Sequence, residues 1–234
     1  MTSPSPPLPA SRSLESQAPP ISTPTTSLHS NSDSKYPIQP QVLEAIQNVK
    51  RNGKKVVVMT CGIAGSGKST LARSLEKTQN FTRLSIDKYI FEKHGVYDHD
   101  YAPEKLDGLQ DEAEVFLNLQ LRRILKGEED EGGAEGDGGV VLDLSLYSKS
   151  DRDSYRGIVE KEGGGRWGVV LVVFKVRGEL EEQEGVLWGR IEGREREVVG
   201  KRREGMPVSR EVLRGYLRGF EWPAGEGEVV VDVV

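Results

Sequence analysis

Beyond its first 38 residues the chain alternates short, unbroken apolar runs with stretches whose apolar residues recur at helical spacing. The runs are Lys55 to Thr60, Thr82 to Ile86, Val140 to Asp143, Gly168 to Val176 and Glu228 to Val233. Because they are continuous rather than alternating, each predicts a strand covered on both faces, as in a parallel sheet flanked by helices. Between them the spacing predicts helices near Lys68 to Lys77, Pro103 to Lys126, Ser150 to Glu162, Glu181 to Glu197 and Arg210 to Phe220. A shorter helix, Gln41 to Asn52, precedes the first strand. The longest helix sets Leu106, Leu109, Ala113, Phe116, Leu117, Leu121 and Ile124 on one stripe and stops at Gly127. Ser209 is placed to cap the last helix. The fold class this implies is α/β: a three-layer αβα architecture with a five-stranded, mostly parallel sheet.

Composition narrows the organisation. Residues 1–38 are dominated by Ser, Pro and Thr and predict a disordered tail, leaving residues 39–234 as one domain. A mitochondrial leader is the sharper alternative, but such leaders are Arg-rich and only Arg12 precedes Lys35. Residues 128–139 (EEDEGGAEGDGG) read as an acidic, glycine-rich loop insertion. A net charge of -5 makes no global case for nucleic acid or an anionic membrane. Cys61 is the only cysteine, so no intrachain disulfide forms, and no apolar run approaches the roughly 20 residues of a membrane span. A soluble, cytoplasmic protein is the expectation. His29, His94 and His99 have no metal-ligand spacing.

The chemistry concentrates after the first strand. Gly62, Ile63, Ala64, Gly65, Ser66, Gly67, Lys68, Ser69 and Thr70 form G-x-x-x-x-G-K-S between a strand and a helix, the context of a nucleotide phosphate-binding loop, or P-loop. Its glycines let successive N–H groups turn onto phosphate oxygens, the helix N-terminus adds partial positive charge, and Lys68 reaches the β and γ phosphates. Ser69 supplies an oxygen for magnesium, and Asp143, closing the third strand, is the candidate acidic partner. Asp87, just after the second strand, would emerge at the same carboxyl edge and could accept a hydroxyl proton; helix capping is its simpler role. Arg190 and Arg194 lie four apart, on one helical face, and could neutralise charge on a transferred phosphoryl group. Arg152 and Arg156 form a second such pair, available to phosphate or acceptor.

The blocks GIAGSGKSTLA, RLSIDKYIFEKHG, VVLDLSLYSKSDRDSYR, LWGRIEGR and PVSREVLRGYLRGFEWP, taken in order, resemble the small P-loop kinases related to polynucleotide 5′-kinase, chloramphenicol phosphotransferase and zeta toxin, an AAA-type ATP-binding group. The resemblance spans about Val56 to Val234. It implies a P-loop NTPase sheet with the first strand central, ATP and Mg2+ as ligands, and an alcohol of a small molecule or nucleoside as acceptor. It also implies that Asp87 activates the acceptor, that Asp143 is the acidic residue ending the third strand, and that Arg190 and Arg194 belong to a lid. The basic segment Lys201 to Arg203 departs from the acidic lid loop the resemblance implies. A polynucleotide 5′-hydroxyl acceptor and a nucleotide-binding regulator without kinase activity are the alternatives, the first disfavoured by the acidic residues interleaved with the arginines.

Overall fold

The computed structural model describes residues 37–128, 138–197 and 204–234. The expected disordered tail up to residue 36, residues 129–137 of the acidic insertion and the basic segment Lys201 to Arg203 lie outside the described residues. Ile38 is 2% exposed and packs in the hydrophobic core.

Helix α1 (Pro40–Arg51) starts at a proline, whose missing N–H costs nothing in a first turn, and buries Val42 and Ile46. It leads into β1 (Lys55–Cys61), in which six successive residues are buried. Next come α2 (Lys68–Gln79), β2 (Phe81–Leu84) and α3 (Ile86–His94). A 3-10 turn, Pro103–Lys105, opens the long α4 (Leu106–Lys126), which ends on Gly127 in the left-handed conformation. Then follow β3 (Gly139–Leu142), α5 (Lys149–Gly163), β4 (Trp167–Val176), α6 (Leu180–Glu197), α7 (Arg210–Gly219) and β5 (Val229–Val233).

The five strands form one sheet in the order β2-β3-β1-β4-β5. Every pairing is parallel, against the mostly parallel sheet expected from sequence. Val57 lies opposite both Val140 and Val169, which puts β1 at the centre. Its neighbours on either side satisfy its backbone groups, and its valines are fully buried, each worth about 1.5–3 kcal/mol.

Two boundaries differ from the sequence reading for identifiable reasons. The second strand ends at Leu84, not Ile86, because Ser85 accepts a hydrogen bond from Lys88 N and starts α3 early. Asp87 therefore sits in the first turn of α3, and Ser85 is the cap. Gly139 belongs to β3 rather than to a loop, and Gly138, in the turn before it, packs so tightly on the chain at Asn80 that a Cβ would fall 2.2 Å from the Asn80 carbonyl oxygen.

Candidate active site

Three strand ends converge at the carboxyl edge of the sheet. From β1 the chain turns through Gly62–Gly67 into α2, and the turn is anchored by the Gly62 N–H donating to the Ser145 carbonyl at 3.0 Å. Gly65 and Gly67 have φ of 82° and 110°, a region open to glycine at little cost. Lys68 Nζ curls back to donate to the Ile63 carbonyl at 2.9 Å, so its charge lies inside the loop. Burial lowers its pKa to about 8, against the opposing pull of Asp143 and Asp87. Ser66 Oγ is buried and has no hydrogen-bond partner.

Asp143 follows β3, and its N–H donates to the Leu84 carbonyl at the end of β2 (2.9 Å). Thr60 adds a second tie. Its Oγ1 lies 3.0 and 2.9 Å from the carbonyls of Leu142 and Leu144 and accepts from Leu144 N at 3.2 Å. The Asp143 carboxylate then divides its oxygens. Ser69 Oγ donates to Oδ1 at 3.0 Å, and Arg83 Nε and Nη2 donate to Oδ2 at 2.9 and 2.6 Å. Both side chains of the Arg83–Asp143 pair are at most 3% exposed. With Oδ2 held by Arg83, Oδ1 and Ser69 Oγ form a pair of hard oxygen donors. Such a pair fits magnesium, which takes oxygen ligands and keeps several waters.

Asp87 lies beside this group. It is exposed along a small cleft that Ile90, Phe91, Tyr101, Leu106, Gly205 and Met206 also line, enclosing about 10 Å³, the room of one water. Desolvation by the surrounding protein, followed by repulsion from Asp143, raises its pKa above the ordinary carboxylate range. Opposite, α6 presses on the P-loop: a Cβ on Gly65 would meet the Leu187 carbonyl oxygen at 2.9 Å. Arg190 reaches the same loop, its Nη2 3.6 Å from where a Gly67 Cβ would be, while its Nη1 donates to the Val234 carbonyl at 3.0 Å. Arg194 is close enough for its charge to depress the Lys68 pKa.

The structure thus brings together the P-loop residues, Asp87, Asp143, Arg190 and Arg194. It does not bring Arg152 and Arg156 to the P-loop as phosphate ligands. Arg152, 1% exposed, donates to Glu226 and to the Leu146 carbonyl, and Arg156 donates to Glu226 and Asp153. The loop at His99 is a local turn in which His99 Nδ1 meets Asp100 Oδ1 at 2.8 Å. Sequence reasoning missed Thr60, Arg83 and Glu204. An arginine inside the buried run Phe81–Leu84 was the available signal for Arg83, since a cation is kept there only if paired. Nothing in the sequence pointed to Glu204.

A lysine in a glycine-cradled loop between a central parallel strand and a helix, in a sheet of this order, defines a P-loop NTPase with a small-kinase fold. The family of AAA domains (AAA_33) matches residues 57–223, and the chain belongs to that family. No curated protein matches it. Among solved structures, a candidate kinase from Chloroflexus aurantiacus aligns with TM-score 0.52 and 16% identity over 77% of this chain and 86% of that one. A gluconokinase from Sinorhizobium meliloti aligns with TM-score 0.45 and 22% identity over 77% and 83%. Kti12 of Chaetomium thermophilum, in complex with ADP-AlF3, aligns with TM-score 0.47 and 19% identity over 75% and 88%. At such identities the likeness carries the fold alone. Among the described residues, no helix is long and apolar enough to cross a membrane.

Proposed function

We propose that this protein is an ATP-dependent phosphotransferase that moves the γ-phosphoryl group to a hydroxyl of an acceptor. The observation that carries the reading is Asp87: a carboxylate with a raised pKa, in a cleft, close enough to Lys68 and Asp143 for their charges to act on it. A regulator that only binds nucleotide has no use for a base at that place.

The loop N–H groups, the N-terminus of α2 and the Lys68 ammonium would hold the triphosphate. Ser66 Oγ supports an anion there, because a buried hydroxyl without a partner costs about 1–3 kcal/mol that a phosphate oxygen would offset. Ser69 and Asp143 would hold magnesium, which supplies charge neutralisation across the phosphates. Asp87 takes the proton as the acceptor oxygen forms its bond to the γ-phosphorus. The bond from that phosphorus to the β–γ bridging oxygen breaks, and ADP leaves with the electron pair. Arg190 and Arg194, on the face of α6 that meets the loop, would neutralise charge on the departing bridging oxygen. Arg83 holds the Asp143 carboxylate, and Thr60 ties down the backbone of Leu142 and Leu144 on either side of it, so that its Oδ1 keeps its place.

The test is transfer of labelled γ-phosphate from ATP into a mixed pool of nucleosides, small alcohols, hydroxy acids and 5′-hydroxyl oligonucleotides. Wild type should label one acceptor, while Lys68→Ala and Asp87→Ala should label none, the second still binding ATP. If no acceptor takes label, and slow hydrolysis continues unchanged in Asp87→Ala, a nucleotide-binding regulator is the better description.

A further inference from the structure

We infer that Arg83 and Arg73 form an anion-binding subsite beside Asp87, held in this structure by the chain's own Glu204, and that the phosphoryl acceptor carries an anionic group that takes its place. Glu204 Oε2 accepts from Arg83 Nη2 at 2.8 Å and from Arg73 Nη2 at 3.1 Å, and Oε1 accepts from Arg83 Nη1 at 3.3 Å. The two arginines come from different elements, β2 and α2, and both guanidinium groups bond this carboxylate. That is the fork geometry by which arginines recognise carboxylate or phosphate.

Three features mark Glu204 as a stand-in rather than a fixed structural partner. Arg83 already has a charge partner in Asp143, so a second carboxylate is not needed to neutralise it. Glu204 belongs to neither helix nor strand, so the sheet and helices do not depend on its backbone. Its position is also the one an acceptor needs. The next residue, Gly205, lies so close to the base that a Cβ would sit 3.1 Å from Asp87 Oδ2, and Gly205 and Met206 wall the cleft at Asp87. The cleft has room for about one water, so an acceptor that enters it to reach Asp87 displaces this segment, and the displaced Glu204 leaves two guanidinium groups facing the space.

The neighbouring carboxylates of Asp143 and Asp87 oppose any anion here. Glu204 shows that the arginines prevail: burial works against its charged form, yet the bonds from Arg83 and Arg73 hold its pKa below the ordinary value. Its side chain is 21% exposed, and that of Arg73 is 45% exposed, so the subsite opens to solvent at one rim. The acceptor assignment rests on the phosphotransferase reading above; the anion site itself does not.

The test is calorimetric binding of inorganic phosphate and of acetate to the full-length protein, with the P-loop saturated by magnesium and a non-hydrolysable ATP analogue. Glu204→Gln and Glu204→Ala should bind one of these anions at least tenfold more tightly than wild type, and adding Arg73→Met to either should abolish the gain. Phosphate gaining more assigns a phosphorylated alcohol as acceptor; acetate gaining more assigns a hydroxy acid. Thermal melting of each variant confirms the fold, and two different substitutions at Glu204 guard against the failure of one. The inference is overturned if neither variant gains affinity, or if the gain survives Arg73→Met. Anion binding without any phosphorylated acceptor would leave the subsite standing and remove the phosphotransferase reading instead.

Discussion

Gly65→Ala tests how closely α6 is fitted to the P-loop. Gly65 is one of the variable positions in G-x-x-x-x-G-K-S, so the motif itself makes no demand on it. The structure does. Its φ of 82° lies where an L side chain costs about 1–2 kcal/mol. The new Cβ would also sit 2.9 Å from the Leu187 carbonyl oxygen and 3.0 Å from Ile191 Cγ1. The first of these is backbone inside α6 and cannot rotate aside, so the helix or the loop must move, an overpacking cost of about 1–3 kcal/mol. The sum is about 2–5 kcal/mol. At about 2–4 °C per kcal/mol for a domain of this size, Tm should fall by about 4–20 °C. Because α6 also carries Arg190 and Arg194, ADP affinity should fall with it. Gly157→Ala is the control: it lies in α5 with nothing within 4 Å of the added Cβ, and should leave Tm unchanged or slightly raised. Differential scanning fluorimetry with and without ADP reads both effects. If Gly65→Ala melts within a degree of wild type and binds ADP as well, the close fit of α6 on the loop is refuted.

Two further outcomes follow from the charged groups. Glu226 is held by the buried Arg152 and by Arg156, which take its pKa from 4.5 down to about 2. A depressed carboxylate contributes stability above its unfolded pKa, so this contribution is present above about 4.5 and is lost as the pH falls towards 2. At about 1.4 kcal/mol per unit the ceiling is about 3 kcal/mol. Glu226→Gln should destabilise by up to that amount at pH 7, and the gap to wild type in urea unfolding should shrink below about pH 4.5 and close as the pH approaches about 2; a gap that stays at its pH 7 size down to there would contradict the assignment. Asp87 behaves with the opposite sign. Its raised pKa means the folded state binds the proton more tightly, so stability is lost as pH rises from the unfolded value towards the folded one. Asp87→Asn should therefore raise Tm at pH 7 while abolishing transfer, and the wild-type rate should climb with pH through the raised pKa; an unchanged or lowered Tm would sink this reading of its environment.

Among the described residues, the five strands and six of the seven helices were legible because each depends on residues close in sequence: unbroken apolar runs for buried strands, a repeat near 3.6 for helices, Gly127 and Ser209 for their ends; α3, whose start fell inside the run read as the second strand, was not. The P-loop was legible for the same reason, being nine consecutive residues whose backbone makes the site. Asp87 and Asp143 could be placed because the carboxyl ends of parallel strands share one edge. What the sequence could not decide was which side chains meet there. Arg152 and Arg156 looked available to a phosphate, whereas Arg83 drew no notice. Only the packing of the loop before β5 against α5 commits the first two to Glu226. Only the pairing of β2 with β3, Leu84 opposite Leu142, carries Arg83 to Asp143. Thr60, Arg83, Asp143 and Glu204 stand far apart in the chain, and a charge pair has no local periodicity to betray it. Helix and strand propensities act over a few residues, whereas ion pairing acts through space between whatever ends the folded sheet places side by side.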